Sequence, residues 1–377
     1  MGQHAMSSRK NMSSLERVRC VLAGGIPDRV PISLLSFQNA ARFAGISVGE
    51  YCLDGRRMAE AQLAYWEEFR HDVADIENGV AALAEAAGCR VEYPRDEPPW
   101  VRRPVLEALE QVDRLPEVDL RRSPGTAALL EATTRVARRL GASVCIRGES
   151  DQAPFSLAAE LFGPQRFLEA LLDPAAEPGL RRLLQYAREQ ILALARAQAE
   201  AGSHFTLIGD SLAGPEVCSP EVYRRFALPY ERELIGTLAR EGFGVGLHIC
   251  GDATPILPDM LESGAAYFEL DHKVDLEAVV RLTAGRVTVF GTIDPAGVIE
   301  RGTPRMIAAE VRRVIRCLGP GGRFVLAPGC TSPWATPFEN VRAFVEAGRR
   351  WGGYDRQGRL VEAAGDYQAE DAWDDTR

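Results

Sequence analysis

The strongest constraint on this chain is a regular alternation: apolar segments of strand length, each followed by a stretch of helical spacing, and most ending in a polar or titratable residue. The strand candidates are Arg29–Leu35, Asp72–Glu77, Ser143–Glu149, Phe205–Asp210, Gly244–Cys250, Ala266–Asp271, Val287–Thr292 and Arg323–Pro328. Helical spacing marks Val48–Arg70, Ala127–Leu140, Pro164–Asp173, Gly179–Ala201, Ser219–Arg240, Thr254–Ser263, Thr303–Leu318 and Pro337–Trp351. Thr303-Pro304 opens its helix with a cap and a first-turn proline. Pro94–Pro124, rich in Pro, Arg and Glu, reads as an excursion with little regular structure. Nearly continuous apolar strands separated by helices predict an α/β fold with a parallel sheet, and eight such units predict a (β/α)8 TIM-type barrel. No shorter internal repeat is present. The barrel is expected over residues 15–352, between a polar lead, 1–14, disordered or foreign to the fold, and a polar tail, 353–377.

At 377 residues and 46% hydrophobic content, the chain can bury a substantial core in one barrel. A net charge of −9 argues against a nucleic-acid surface. No apolar run is long enough to span a bilayer, and the start lacks a charged n-region followed by an apolar h-region. Eight cysteines without tight regular spacing point to reduced thiols and a cytoplasmic setting.

In a barrel of this kind the chemistry gathers at the carboxyl ends of the strands. Glu77 with Asn78, Glu149, Asp210, His248 with Cys250, Asp271, Thr292 with Asp294, and Cys330 fall at those ends. His248 and Cys250 are two residues apart, so on a strand they face the same side. With Cys330 they would give zinc one imidazole and two thiolates and leave a fourth position open, as in a catalytic site. The alternative is two buried cysteines beside a core histidine. The donor set suits zinc over other metals, and no Cys-x-x-Cys pair suggests a closed structural site or a cluster. An open zinc site can generate hydroxide or bind and deprotonate a thiol, and two electron-rich thiolate ligands favour the second. Asp210 and Glu149 are candidate catalytic side chains, as a fourth metal ligand, as hydrogen-bond partners of His248, or only as strand-end caps. Asn78, Asp271 and Asp294 are candidate cofactor-binding residues. His272 points away from Asp271 along its strand, and His71 and His204 precede strands at the opposite end, so none of the three is expected to bind metal. There is no phosphate-binding glycine loop and no serine elbow. Lys273, one of two lysines with Lys10, lies past the sixth strand candidate, which disfavours Schiff-base chemistry.

These residues, with Ala153–Ala158, Ile208–Asp210, Ser219–Tyr223, Leu228–Tyr230, Leu247–Gly251, Asp294-Pro295, Pro328–Cys330 and Thr336–Asn340, give a chain that resembles the uroporphyrinogen decarboxylase superfamily from Leu15 to Trp351. The superfamily holds two chemistries. Its metal-free decarboxylases grip an acidic tetrapyrrole with an arginine-rich segment after the first strand, whereas here Ser36–Phe43 contains one arginine, Arg42. Its zinc-dependent branch resembles the methylcobamide:coenzyme M methyltransferases and the second methyltransferases of O-demethylase systems, marked by His-x-Cys and a distant Cys. The resemblance implies that His248, Cys250 and Cys330 bind Zn2+. It also implies a methylcorrinoid donor on a separate corrinoid protein, a small thiol or tetrahydrofolate as acceptor, and a possible homodimer. A metal-free decarboxylase is the alternative; a non-catalytic corrinoid- or thiol-binding protein and a zinc hydrolase rank below it.

Overall fold

The computed structural model describes residues 11–361; residues 1–10 and 362–377, which hold most of the lead and the tail, lie outside the described residues. Seven parallel strands form the main sheet in chain order: β1 (Val73–Ile76), β4 (Cys145–Gln152), β5 (Phe205–Gly209), β6 (Gly244–Ile249), β7 (Tyr267–Leu270), β8 (Thr288–Ile293) and β9 (Phe324–Pro328). A small antiparallel pair, β2 (Arg90–Glu92) and β3 (Trp100–Arg103), sits between β1 and β4 in the chain. Arg29–Leu35, expected as the first strand, meets the sheet at two isolated points, Ile32 with Leu326 of β9 and Ser33 with Val73 of β1, while Arg29 bridges Gly353. The segment still fills the eighth place. The Leu326 amide donates to the Pro31 carbonyl, and the Asp72 amide donates to that of Ile32, so the segment joins both sheet edges and closes the barrel. Pro31 removes one donor, and Leu35 turns out of extended geometry with φ 47°, which keeps the segment short of a full strand.

The other departures have local causes. Asp54 splits the long helix expected over Val48–Arg70: its carboxylate caps the amides of Arg56 and Arg57, so Val48–Leu53 and Gly55–Phe69 form separately. Within 219–240 a wider π turn, Tyr223–Ala227, precedes Leu228–Arg240, because Pro229 cannot donate to the turn before it. Pro94–Pro124 is not featureless; it contains β3 and the short 3-10 turn Leu109–Arg114. Pro154–Phe162 is an additional helix. So is Ser14–Leu22, whose Ser13 and Glu16 cap each other reciprocally at its start.

Alternate strand residues face inward, and their polarity rises along the barrel. At the floor, Val73, Cys145, Phe205, Tyr267, Phe290 and Val325 form one buried cluster with Leu15, Val18 and Val21 of the Ser14–Leu22 helix, which plugs that end. One layer up, Asp75, Arg147 and Glu269 are buried as an ion-paired triad: Arg147 Nε lies 2.6 Å from Asp75 and its Nη1 pairs with Glu269. Glu77, Glu149, His248, Cys250 and Cys330 come next, at the carboxyl end.

A candidate metal centre at the barrel mouth

The period of two on β6 places His248 and Cys250 on the same side, over the ring of Tyr267. That ring fills the space below: a Cβ on Gly246 would stand 2.0 Å from it. His248 Nδ1 lies 3.0 Å from the backbone carbonyl of Glu269. A carbonyl can only accept, so this contact puts a proton on Nδ1 and turns Nε2 toward Cys250 Sγ, 3.2 Å away, where its own proton would have to leave before it could bind a metal. Cys330 arrives from the end of β9 through Gly329, where a Cβ would come within 2.5 Å of the His272 amide nitrogen. Only glycine lets β9 approach the end of β7 that closely. The ligating atoms of His248, Cys250 and Cys330 consequently all lie within 4.8 Å of one another.

Their protonation is shared. The Cys250 thiol is pulled far down, first by the hydrogen bond from Cys330 and, against its burial, by the imidazole of His248. Cys330 is pushed up, first by its donation to Cys250 and then by burial. Burial alone would lower His248, but the neighbouring thiolate carries it up to about 10. The cluster is built to hold anionic sulfur.

Beside it opens a cavity of about 320 Å³, walled in part by Phe37, Gln38, Glu77, Glu149, Ser211 and Glu269. Glu77 and Glu149 are buried and share a hydrogen bond; burial raises both, Glu149 furthest because the Glu77 charge adds to it. Glu149 thus reaches the cavity, in a pair with Glu77 and apart from His248. Asp210 does not line it. Its side chain faces the helices outside the sheet, where the carboxylate accepts from the backbone amide and hydroxyl of Ser156, at 2.8 and 2.6 Å, in the first turn of the helix Pro154–Phe162. Burial pushes Asp210 up to about 6. Asn78 lies away from the cavity too, its side-chain amide donating to the carbonyls of Cys52 and Gly125. Asp271 accepts from the Gly251 amide at 2.8 Å and so holds the turn that follows Cys250. Asp294 caps the turn Pro295–Glu300 through the amides of Ala296 and Gly297. His204 accepts from the Ile146 amide at the floor end, and His71 is buried against Tyr65, both far from the thiols. Glu269 and Arg147 were not anticipated from the sequence, although both sit on an inward-facing period-two position.

The residues fit a zinc ion. Tetrahedral coordination at ~2.3 Å to sulfur and ~2.0–2.1 Å to nitrogen separates ligand atoms by about 3.3–3.8 Å. The cluster comes within small side-chain adjustments of that, with the His248 tautomer already set and the cavity adjoining it.

A closed parallel barrel with a nitrogen and two sulfurs converging at its carboxyl end defines the class to which the comparisons point. The uroporphyrinogen decarboxylase (URO-D) family matches residues 13–351, and the chain belongs to that family. The chain is 26% identical to the methylcobamide:CoM methyltransferase MtbA of Methanosarcina acetivorans over 79% of this chain and 85% of the relative. It is 25% identical to the methylated-thiol–coenzyme M methyltransferase of Methanosarcina mazei over 89% of each. A uroporphyrinogen decarboxylase of Thermus thermophilus shares 34% identity, over 52% of this chain and 56% of the relative. Among solved structures, a methyltransferase from Methanosarcina mazei superposes with a TM-score of 0.82 at 24% identity, covering 90% of this chain and 99% of that one; it shares the fold. No helix among the described residues is long and apolar enough to cross a membrane.

Proposed function

We propose that this chain is a zinc-dependent methyltransferase that moves a methyl group between a corrinoid, carried by a partner protein, and a small thiol. The observation that carries this reading is the convergence of His248, Cys250 and Cys330 within 4.8 Å at the edge of a cavity. The coenzyme M methyltransferases among the relatives support it.

His248, Cys250 and Cys330 would hold the zinc, which when bound supplies a positive centre that keeps an acceptor thiol deprotonated near neutral pH. The chain's own groups do the rest. Glu269 fixes the imidazole through its carbonyl, and Asp271 fixes the turn after Cys250. At about 320 Å³ the cavity takes a small acceptor and excludes a corrinoid, which must present its methyl group from a partner seated over the mouth. The acceptor sulfur attacks the methyl carbon; the sulfur–carbon bond forms while the carbon–cobalt bond breaks, its electron pair staying on cobalt. Eight cysteines, none of them in a disulfide among the described residues, favour the cytoplasm as the setting.

Metal analysis of the purified protein, with a methylcobalamin–thiol assay before and after chelation, tests the proposal. Stoichiometric zinc and loss of transfer on chelation are expected. A zinc-free protein that decarboxylates a porphyrinogen-like acid equally well with chelator present would replace this reading with the metal-free one.

A further inference from the structure

The charges around the cavity constrain the acceptor beyond its being a thiol. Three carboxyl groups, Glu77, Glu149 and Glu269, line the same cavity as His248, Cys250 and Cys330, and among the described residues no lysine or arginine lines it. The nearest guanidinium, Arg147, lies beneath, fully buried and paired through Nε with Asp75 and through Nη1 with Glu269. Lys273 stands outside, 2.9 Å from Glu216. Glu77 carries a second signal: its Oε1 is buried, with no hydrogen-bond partner among the described residues, although the side chain faces the cavity. A buried carboxyl oxygen without a partner is unfavourable until a donor reaches it.

Resting on the methyltransferase reading, we propose that the acceptor is a thiol whose tail donates hydrogen bonds and is neutral or cationic, received by Glu77 and Glu149, and not a thiol with an anionic tail such as a sulfonate. An anionic tail in this cavity would meet carboxyl oxygens lining its wall and like-charge repulsion from the ionised member of the Glu77–Glu149 pair, with Arg147 already paired to Glu269 beneath. An ammonium or hydroxyl tail would instead supply the donor that Glu77 Oε1 lacks. This separates the chain from its relatives named for coenzyme M, itself an anionic thiol.

The test uses three two-carbon thiols: cysteamine (cationic), 2-mercaptoethanol (neutral) and 2-mercaptoethanesulfonate (anionic). Binding to the purified protein is followed by calorimetry without methyl donor, and transfer from methylcobalamin is followed as kcat/KM. The expected result is at least a tenfold preference for cysteamine or 2-mercaptoethanol over the sulfonate in both measurements. Glu77→Gln and Glu149→Gln, which keep the shape and remove the charge, should shrink the cationic-to-anionic ratio at least threefold. A sulfonate that binds and reacts best in the wild-type protein would overturn the inference and make Arg147 Nη2, which has no hydrogen-bond partner, the anchoring cation. Methylation of no thiol at all, with zinc bound, would overturn the methyltransferase reading beneath it. If the glutamine variants fail to fold, the wild-type ranking alone decides.

Discussion

The floor and the mouth of this barrel are the two ends of one sheet, yet they do opposite things. At the floor, Phe205 sets its ring edge-on to Tyr267 and Phe290, whose own centroids are 4.4 Å apart, under a plug of Leu15, Val18 and Val21. At the mouth, Glu77, Glu149, His248, Cys250 and Cys330 surround open space. Apolar burial at one end supplies stability at roughly 25 cal/mol per Å2. The other end keeps carboxyl groups and thiols buried at a desolvation cost that only the rest of the fold can offset. Stability and chemistry are thus separated along one axis, and substitutions should sort by height on it.

The largest effect is expected at the mouth. Cys330→Ala should remove metal and depress methyl transfer by more than the roughly 10–100-fold that loss of a ligand's supporting partner costs, while leaving the thermal midpoint near wild type. Wild-type metal content and rate in that variant would break the division between the two ends. Next comes the outer rim of the floor, where Asp72 is fully buried and accepts from Arg17 (2.6 Å), Arg29 (2.7 Å) and the Ile32 amide. Asp72→Asn should destabilise by about 3–5 kcal/mol at neutral pH, because Arg29 loses its carboxylate and Arg17 keeps only Asp28. Burial alone would raise the Asp72 carboxyl, but Arg29 and Arg17 hold it below its ordinary value. Its contribution is therefore present above the unfolded carboxylate range, near pH 4, and is lost as pH falls through the folded value. The wild-type–variant gap in denaturation midpoint should close on acidification; a gap that widens would contradict the ion-pair account.

Phe290→Ala at the floor should cost about 3–5 kcal/mol by urea unfolding, with kcat/KM per folded molecule unchanged. Ser156→Ala removes a 2.6 Å hydrogen bond to the buried Asp210 and should cost about 1–3 kcal/mol. Because Asp210 braces the first turn of a helix outside the sheet, that change should lower the midpoint and leave thiol KM alone. A KM shift there would restore Asp210 to the chemistry. The smallest effect is expected for Asp271→Asn, which keeps a weaker acceptor for the Gly251 amide: about 1 kcal/mol or less in transition-state binding, read as a several-fold drop in kcat/KM.

The grouping of His248 with Cys250 was legible from spacing, and the apolar run ending at Cys330 placed its thiol at the same end of the barrel. The supporting carbonyl of Glu269 was not, because it depends on register between β6 and β7, where His248 pairs with Glu269. Asp210 and Asn78 show what a strand-end position leaves open. Being at a strand end marks a residue as near the mouth without saying which face it takes, and both turn to brace backbone outside the cavity. The first strand and the split helices were misjudged by a few residues each, through single prolines or caps whose effect is local. The plugging helix Ser14–Leu22 carried a readable signature in Ser13 and Glu16, but only a floor for it to close gives its apolar side a destination.

By itself the sequence determined the α/β alternation, the polarity of the strand ends and the identity of the nitrogen and sulfur donors, because periodicity and residue chemistry are local properties. The tertiary structure alone decided that residues 82 positions apart, His248 and Cys330, meet with their ligand atoms within 4.8 Å, and that Glu77, Glu149 and Glu269 line one cavity beside them. It also decided that a broken segment completes the barrel. Those are consequences of closure and register, which are set by the packing of the whole sheet and by no short stretch of chain.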